Sequence, residues 1–179
     1  MPKLGLKTDR VKLVKYSKGW INKFERERRH ITKLLNKEIV TVEHIGSTAI
    51  RGIISKPMVD IVLGVNSMSR NKSRIVKKLE KDKYVLRKFR NPNQHLLLSK
   101  IIDGHTTHHV HIVRHKGVVW NKLIDFRNYL NSHPSWAKQY EILKKKLAKK
   151  FPNNRKAYTL AKAKFVRKTL EIAKKKNYA

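Results

Sequence analysis

The stretch EHIGSTAIRGIISKPMVDIVLGV, residues 43–65, decides the fold predicted for this chain. It starts inside a short run rich in β-branched residues, over 39–46, and ends in a second such run, over 58–65. Runs of this length and composition are typical of buried strands. The segment between them contains Gly, Ser and Pro, which interrupt regular structure. We therefore expect two neighbouring strands joined by an irregular connection.

The same stretch contains residue types that can bind phosphate. Gly46 and Ser47 end the first strand, where a glycine lets the backbone approach a ligand closely. Ser47 and Thr48 could then donate hydrogen bonds to a phosphate. Asp60, on the second strand, could hold a magnesium ion that bridges those phosphates. An ordinary turn beside a salt-bridged aspartate would give the same pattern, so the residues alone leave both interpretations open.

The hydrophobic pattern outside this stretch indicates further elements. Apolar periodicity predicts helices over 20–36 and 69–81, and a strand or an extended lead-in over 11–16. Alternation predicts strands over 84–89, 95–102 and 108–114, with a turn at 91–93 and a hairpin at Asp103-Gly104. Beyond Gly117 the pattern is helical: one helix spans 120–130, the next begins at Pro134, and the last runs from about Arg155.

These elements predict one folding unit of the α/β (α+β) class. Residues 1–10 are expected to be a flexible basic lead, and residues 11–179 a single domain. Within it, 11–116 would form the core that contains the sheet, and 117–179 the C-terminal helices. We expect a small mixed sheet flanked by helices.

Composition limits the classes of function. The 179 residues include no cysteine, which excludes disulfides, thiolate nucleophiles and cysteine-bound zinc. Charged residues recur every few positions near the N-terminus, unlike in a signal peptide, and no apolar run approaches the length of a membrane span. We therefore expect an intracellular, cytoplasmic protein. With 44 Lys+Arg against 12 Asp+Glu, the net charge is +32. Such a charge favours nucleotides, RNA or another polyanion as partners, although compositional bias of the genome would also produce it.

Residues 43–65 resemble the signature block of the GrpB family, whose usual form is close to EHIGSTAVPGLxAKPIIDIxVGV. Four more blocks resemble the family in the same order: VKLVKYSKGWINKFERE from Val11, HHVHIV over 108–113, FRNYLNSHPSWAKQYEILKKKLA from Phe126 and YTLAKAKFV from Tyr158. The resemblance covers about residues 11–173. It implies a nucleotidyltransferase-like α/β fold of the polymerase-β type with a helical C-terminal part. It implies no settled reaction.

Active nucleotidyltransferases combine the Gly-Ser turn with an Asp-x-Asp or Asp-x-Glu pair, because two magnesium ions need several carboxylate oxygens. Gly46, Ser47 and Asp60 match that pattern, whereas Val62 stands at the position of the second carboxylate. Glu43 could supply an oxygen from the neighbouring strand, on the face opposite to His44. Transfer that uses two metal ions is therefore in doubt.

His109 and His111 share one face of a predicted strand, at a position that resembles the strand of the third carboxylate. They could act as an acid and base with Asp60 or bind a divalent metal, Mg or Mn, for which we predict Asp60, His111 and Glu43 as ligands. A pair of histidines with ordinary hydrogen bonds is the alternative. The residues predicted to bind nucleotide or phosphate are Gly46, Ser47, Thr48, Lys56, Arg127 and Lys162.

Two main hypotheses follow from the residues and the resemblance. The first is a metal-dependent nucleotidyltransferase that acts on a nucleoside triphosphate and an unidentified acceptor, with RNA as one candidate. The second is a module on the same fold that binds a nucleotide or RNA without catalysis. A metal-dependent hydrolase or an accessory of coenzyme metabolism is a third alternative.

Overall fold

The computed structural model describes residues 3–87, 91 and 93–176, except for the side chain of Lys176. Three parts of the predicted elements lie outside these residues: the strand end at 88–89, position 92 of the turn, and the chain ends 1–2 and 177–179. The strands are β1 (Leu6–Lys7), β2 (Thr41–Ile45), β3 (Val59–Val65), β4 (Tyr84–Arg87), β5 (His95–Ile102) and β6 (His105–Arg114). The helices are α1 (Gly19–Leu35), α2 (Met68–Glu80), α3 (Val118–Ser132), α4 (Pro134–Lys150), α5 (Arg155–Ala161) and α6 (Ala163–Lys176).

The sheet is mixed, as predicted, with the strand order β2-β3-β6-β5-β4. The expected neighbours β2 and β3 are antiparallel, whereas β3 and β6 are parallel. Asp60 therefore lies opposite Ile45 on one side and opposite His109 on the other. The Asp103-Gly104 turn joins β5 to β6, and both of its residues have a positive φ, of 48° and 71°. A positive φ at both positions is the geometry of a tight hairpin, which the sequence predicts.

The two faces of the sheet differ in character because successive side chains of a strand point to opposite sides. Ile61 and Leu63 of β3 face a large apolar core, which they share with Trp20 and Phe24 of α1 and with Ile75 of α2. The opposite face contains the even-numbered residues of β3 and is covered by the C-terminal helices. That face holds the candidate site.

The C-terminal helices cover this face through two smaller clusters. Val62 packs with Ile45 and with Trp120 of α3, and Tyr140 of α4 packs against Ile50 in the connection between β2 and β3. The single helix expected from Arg155 is wrong, because α5 ends at Ala161 and α6 begins at Ala163. The amide of Lys162 donates to the carbonyl oxygen of Thr159, only three residues back, which interrupts the α-helical hydrogen bonding.

The N-terminal segment lies across the start of β3. Leu6 and Lys7, within the lead that charge predicts to be flexible, form β1 and pair with the start of β6. The segment over 11–16 is an extended lead-in with one isolated bridge, between Val14 and Ser55. None of the described helices has both the length and the apolar composition that a membrane span needs.

Candidate functional site

The turn after β2 brings the backbone against Asp60. Gly46 has φ 70° and ψ −170°, a conformation that only glycine adopts readily. A β-carbon at this position would lie 2.2 Å from Oδ2 of Asp60 and 2.8 Å from its Cβ. Glycine is therefore required at position 46 both by the backbone conformation and by the carboxylate that lies against it.

Asp60 is half-buried and lies among basic groups from two distant parts of the chain. Burial raises the pKa of Asp60 above its ordinary value, while the charges of Lys56, Lys162 and Arg155 act to lower it. Lys56 precedes β3, whereas Arg155 begins α5 and Lys162 follows that helix. We call Asp60, Lys56, Lys162, Arg155 and the neighbouring His109 the Asp60 cluster.

The two lysines of the Asp60 cluster approach the same aromatic ring. Nζ of Lys162 lies 4.5 Å from the centroid of the Tyr158 ring, and Nζ of Lys56 lies 5.8 Å from it. Such cation–π contacts hold an ammonium group in place while leaving its hydrogen-bond donors free. Burial lowers the pKa of Lys56 to about 7, and the charges of Lys162 and Arg155 contribute in the same direction.

His109 is fixed by a neighbour on the next strand. Its Nδ1 lies 3.0 Å from Oγ of Ser99, and that oxygen accepts a hydrogen bond from Nε of Arg87 at 3.1 Å. Burial, together with the charges of Lys56, Arg155 and Arg87, lowers the pKa of His109 to about 3. The imidazole is consequently neutral at physiological pH.

His111 lies two residues after His109 on β6 and therefore on the same face of the sheet as Asp60 and His109. Its Nδ1 is 2.8 Å from Nε2 of His95, and burial together with the two neighbouring histidines holds its pKa well below the ordinary value. His111 lies opposite Val62 in the register, not opposite Asp60. The predicted pair therefore shares a face with Asp60, and His109 is the member directly beside it.

The predicted oxygen ligand Glu43 has another partner. It shares the face of Asp60, as alternation predicts, but its carboxylate accepts a hydrogen bond from Nη1 of Arg127 at 2.8 Å. The same Arg127 nitrogen donates to the carbonyl oxygen of His44 at 2.8 Å. Arg127 thus binds the end of β2, and the structure does not bring it into the Asp60 cluster.

The predicted phosphate ligands after Gly46 differ in their surroundings. Ser47 is half-buried at the start of a short 3-10 turn over 47–49. Thr48 is buried, and its Oγ1 lies 2.9 Å from Nε2 of His44, on the side of the sheet that faces α1. His44 stacks on Phe24 with 4.7 Å between the ring centroids. The Thr48 hydroxyl is therefore engaged away from Asp60.

The donor set does not fit a centre of two metal ions. The second carboxylate position is Val62, which is fully buried in an apolar cluster. Throughout residues 3–87, 91 and 93–176, no three histidine or carboxylate side chains could hold a metal ion together. Asp60 alone could contribute to one magnesium ion, because magnesium often takes one carboxylate and completes its shell with phosphate and water oxygens.

Four contributors to the site are absent from the sequence prediction: Arg155, Tyr158, Arg87 and Ser99. Arg155 and Tyr158 lie about a hundred residues beyond Asp60 in a chain with 44 basic residues, so no local pattern marks them. Ser99 could have been found from strand alternation, because it lies directly opposite His109 in the hairpin of β5 and β6.

Comparison with known proteins identifies relatives over nearly the whole length. The family described as GrpB protein matches residues 10–172. The glutamate-rich protein GrpB of Alkalihalophilus pseudofirmus is 34% identical over 176 residues, which covers 91% of this chain and 95% of that protein. The crystal structure of the conserved protein GrpB from Enterococcus faecalis superposes with a TM-score of 0.84 at 28% identity, over 94% of this chain and 100% of that one.

More distant similarity extends to a poly(U) polymerase. The Cid1 poly(U) polymerase, solved as a mutant bound to MgATP, superposes with a TM-score of 0.54 at 13% identity. The match covers 75% of this chain and 44% of that one. Similarity at this identity shows a common fold, so the predicted nucleotidyltransferase-like fold is confirmed.

Proposed function

Because the chain belongs to the GrpB family and has a nucleotidyltransferase-like fold, we propose that it binds a nucleoside triphosphate at the Asp60 cluster. One observation carries this proposal: Lys56, Lys162 and Arg155 gather around a single carboxylate beside the Gly46 turn. When Lys56 is protonated, the three cations outnumber Asp60 and the Asp9 carboxylate that acts on Arg155, which leaves an excess of positive charge. An anion with several charges, such as a triphosphate, is the ligand that this excess attracts.

The parts of the site have distinct roles in this proposal. The lysines act as point charges on phosphate oxygens. Nη2 of Arg155 already donates to the carbonyl oxygens of Lys7 and Arg10, so this side chain contributes its charge and the donors of Nη1. Gly46 and Ser47 allow the backbone and one hydroxyl to approach the phosphates. Neutral His109 can donate or accept one hydrogen bond without adding charge.

Metal-dependent nucleotidyl transfer to an acceptor, RNA being one candidate, remains a prediction of the sequence and the resemblance. Proteins of this fold, such as the Cid1 polymerase bound to MgATP, give it support. Val62 and the pairing of Glu43 with Arg127 weigh against a catalytic centre of two metal ions. We therefore propose nucleotide binding as the function and treat transfer as a separate property to measure.

The test is calorimetric titration of ATP into the wild type and into Ser47→Ala and Lys162→Met variants. We expect weaker binding in both variants, by roughly five- to twentyfold for each lost hydrogen bond or charge contact. Ser73→Ala is a matched control, because Ser73 is exposed on α2 against the other face. Absence of ATP binding to the folded wild type, or equal affinity in all variants, would contradict the proposal.

A second candidate function, the binding of RNA or another polyanion, rests on the outer surface of the C-terminal helices. Most of their basic side chains, although not that of buried Lys144, are exposed to solvent and outnumber the acidic ones. The exposed ones on α4 and α6 are Lys138, Lys145, Lys146, Lys149, Lys150, Lys164, Arg167, Lys168, Lys174 and Lys175. Such a surface would bind the phosphate backbone with little dependence on base sequence.

The dependence of affinity on salt tests this second function. Each neutralised phosphate of a single strand contributes a slope of about −0.7 to log affinity against log salt, so six contacts give roughly −4. Replacing four exposed lysines of α4 (145, 146, 149, 150) by glutamine should make the slope shallower by about 3. Replacing exposed lysines 12, 15, 77 and 81 instead removes the same charge elsewhere. Equal slopes for the two quadruple variants would place the polyanion on another surface.

A further inference from the structure

The Asp60 cluster contains cationic groups that lack partners within the protein. Among the residues that the structure describes, Lys56 and Lys162 have no ion-pair or hydrogen-bond partner for their Nζ atoms, and Asp60 has none for its carboxylate. Nε of Arg155 is buried without a hydrogen-bond partner. A buried donor without a partner destabilises the folded protein, and a hydrogen bond to an anion would offset that cost.

Arg155 is nevertheless held in place through its other end. Its Nη2 donates to the carbonyl oxygen of Lys7 at 2.8 Å, just after β1 pairs with β6. Asp9 of the same segment acts on Arg155 as an opposite charge. The N-terminal segment therefore positions the guanidinium, whose buried Nε has no hydrogen-bond partner within the described residues.

The surroundings of the cluster are unfavourable to divalent cations. Lys56, Lys162 and Arg155 act on Asp60, and Arg87 acts on His109 in addition to Lys56 and Arg155. A magnesium ion at Asp60 would meet this positive field with one carboxylate to offset it. The same field favours the ligand form with the largest negative charge.

We propose that the Asp60 cluster binds a triphosphate chain in its metal-free form, with Lys56, Lys162 and Arg155 supplying the positive charge that metal ions supply elsewhere. This inference rests on the proposed function and specifies the form of the ligand. Because the Tyr158 ring is buried and contacts both lysines, it is not open to a nucleobase. Recognition therefore falls on the phosphate chain, and inorganic tripolyphosphate should bind as ATP does.

The effect of Asp60→Asn on the affinity for the triphosphate should have opposite signs in a metal-free site and in a metal site. If Asp60 holds magnesium, Asp60→Asn should abolish the binding that depends on magnesium. In a metal-free site the Asp60 carboxylate repels the phosphates, so Asp60→Asn should strengthen binding, by about three- to tenfold. The two geometries predict opposite changes for the same variant.

The experiment is calorimetric titration of ATP, inorganic tripolyphosphate and AMP, each with EDTA and with excess magnesium. We expect ATP and tripolyphosphate to bind in EDTA, magnesium to weaken both by about tenfold, and AMP to bind much more weakly than either. Lys162→Met should weaken binding in EDTA, whereas Lys164→Met, which removes an exposed charge from α6, should not. Circular dichroism would verify that Asp60→Asn and Lys162→Met are folded.

The outcomes distinguish the two proposals. Binding of ATP that appears only with magnesium, or is lost in folded Asp60→Asn, would overturn the metal-free inference and leave nucleotide binding in place. Binding in EDTA with equal loss in the Lys162 and Lys164 variants would overturn the assignment to the Asp60 cluster. Absence of binding by ATP and tripolyphosphate under both conditions would overturn both proposals.

Discussion

Substitution of Gly46 by alanine tests whether the turn after β2 is built around Asp60. The added methyl group would start 2.2 Å from Oδ2 of Asp60 and 2.8 Å from its Cβ, far inside van der Waals contact. Position 46 also has φ 70° and ψ −170°, a region that alanine avoids. Two independent costs therefore act at one residue.

Their sizes can be worked from the geometry. Holding alanine in this backbone region costs about 1–3 kcal/mol. Forcing a methyl group into occupied space costs about 1–3 kcal/mol more, because Asp60 and the turn must separate. The expected loss of roughly 2–6 kcal/mol is a large part of the 5–15 kcal/mol that stabilises a typical domain.

Two other glycines provide matched controls. Gly52 and Gly104 have φ 77° and 71°, but a β-carbon at either position would meet no atom within 4 Å. Alanine there carries the backbone cost alone, about 1–2 kcal/mol. Urea unfolding followed by circular dichroism measures all three variants, and we expect Gly46→Ala to lose at least about 1 kcal/mol more than either control. Equal losses in the three variants would refute the argument that Asp60 lies against the turn.

Three further predictions concern stability. Burial lowers the pKa of His44 and His108 to about 4, so as the pH falls the unfolded chain binds protons at these histidines before the folded protein does. The free energy of unfolding should therefore decrease between pH 6.5 and about 4, by about 1.4 kcal/mol per pH unit for each histidine. Urea unfolding at several pH values measures this decrease, and a flat profile would contradict it. Tyr84→Phe removes a hydroxyl that donates to buried Glu27 and should cost about 1–3 kcal/mol in thermal unfolding; an unchanged midpoint would contradict this. Val62→Asp places a carboxylate among apolar side chains and should lower the free energy of unfolding by about 3 kcal/mol or more. If magnesium restores the stability of this variant, a metal centre forms there instead.

Local pattern predicts the elements of this protein well where one side of each is buried. The runs over 39–46 and 58–65 form β2 and β3, and the apolar periodicity before them forms α1. The prediction of elements fails where contacts between distant segments decide the structure. A continuous helix after Arg155 has the right apolar stripe, yet the chain changes to a shorter hydrogen bond at Lys162, and nothing in the stripe marks that position. Pairing of Leu6–Lys7 with β6 depends on residues about a hundred positions away.

The sequence also determines which candidate residues share a face. Alternation along β3 and β6 places Asp60, His109 and His111 on one side, and the register agrees with that expectation. Their roles as catalytic, metal-binding or phosphate-binding residues stay predictions. Thr48 and Arg127 show why a motif alone is insufficient, because their polar groups contact His44 and Glu43 instead of the Asp60 cluster.

The sequence by itself determined the strands, the turn that needs Gly46 and the absence of a carboxylate at position 62, because each depends on residue type and short-range geometry. Only the tertiary structure decided which of the 44 basic residues meet Asp60. Lys162 and Arg155 reach it because the C-terminal helices cover this face of the sheet, and the Tyr158 ring contacts both Lys56 and Lys162. Charge is a property of composition, but its concentration at one carboxylate arises from contacts between segments about a hundred residues apart.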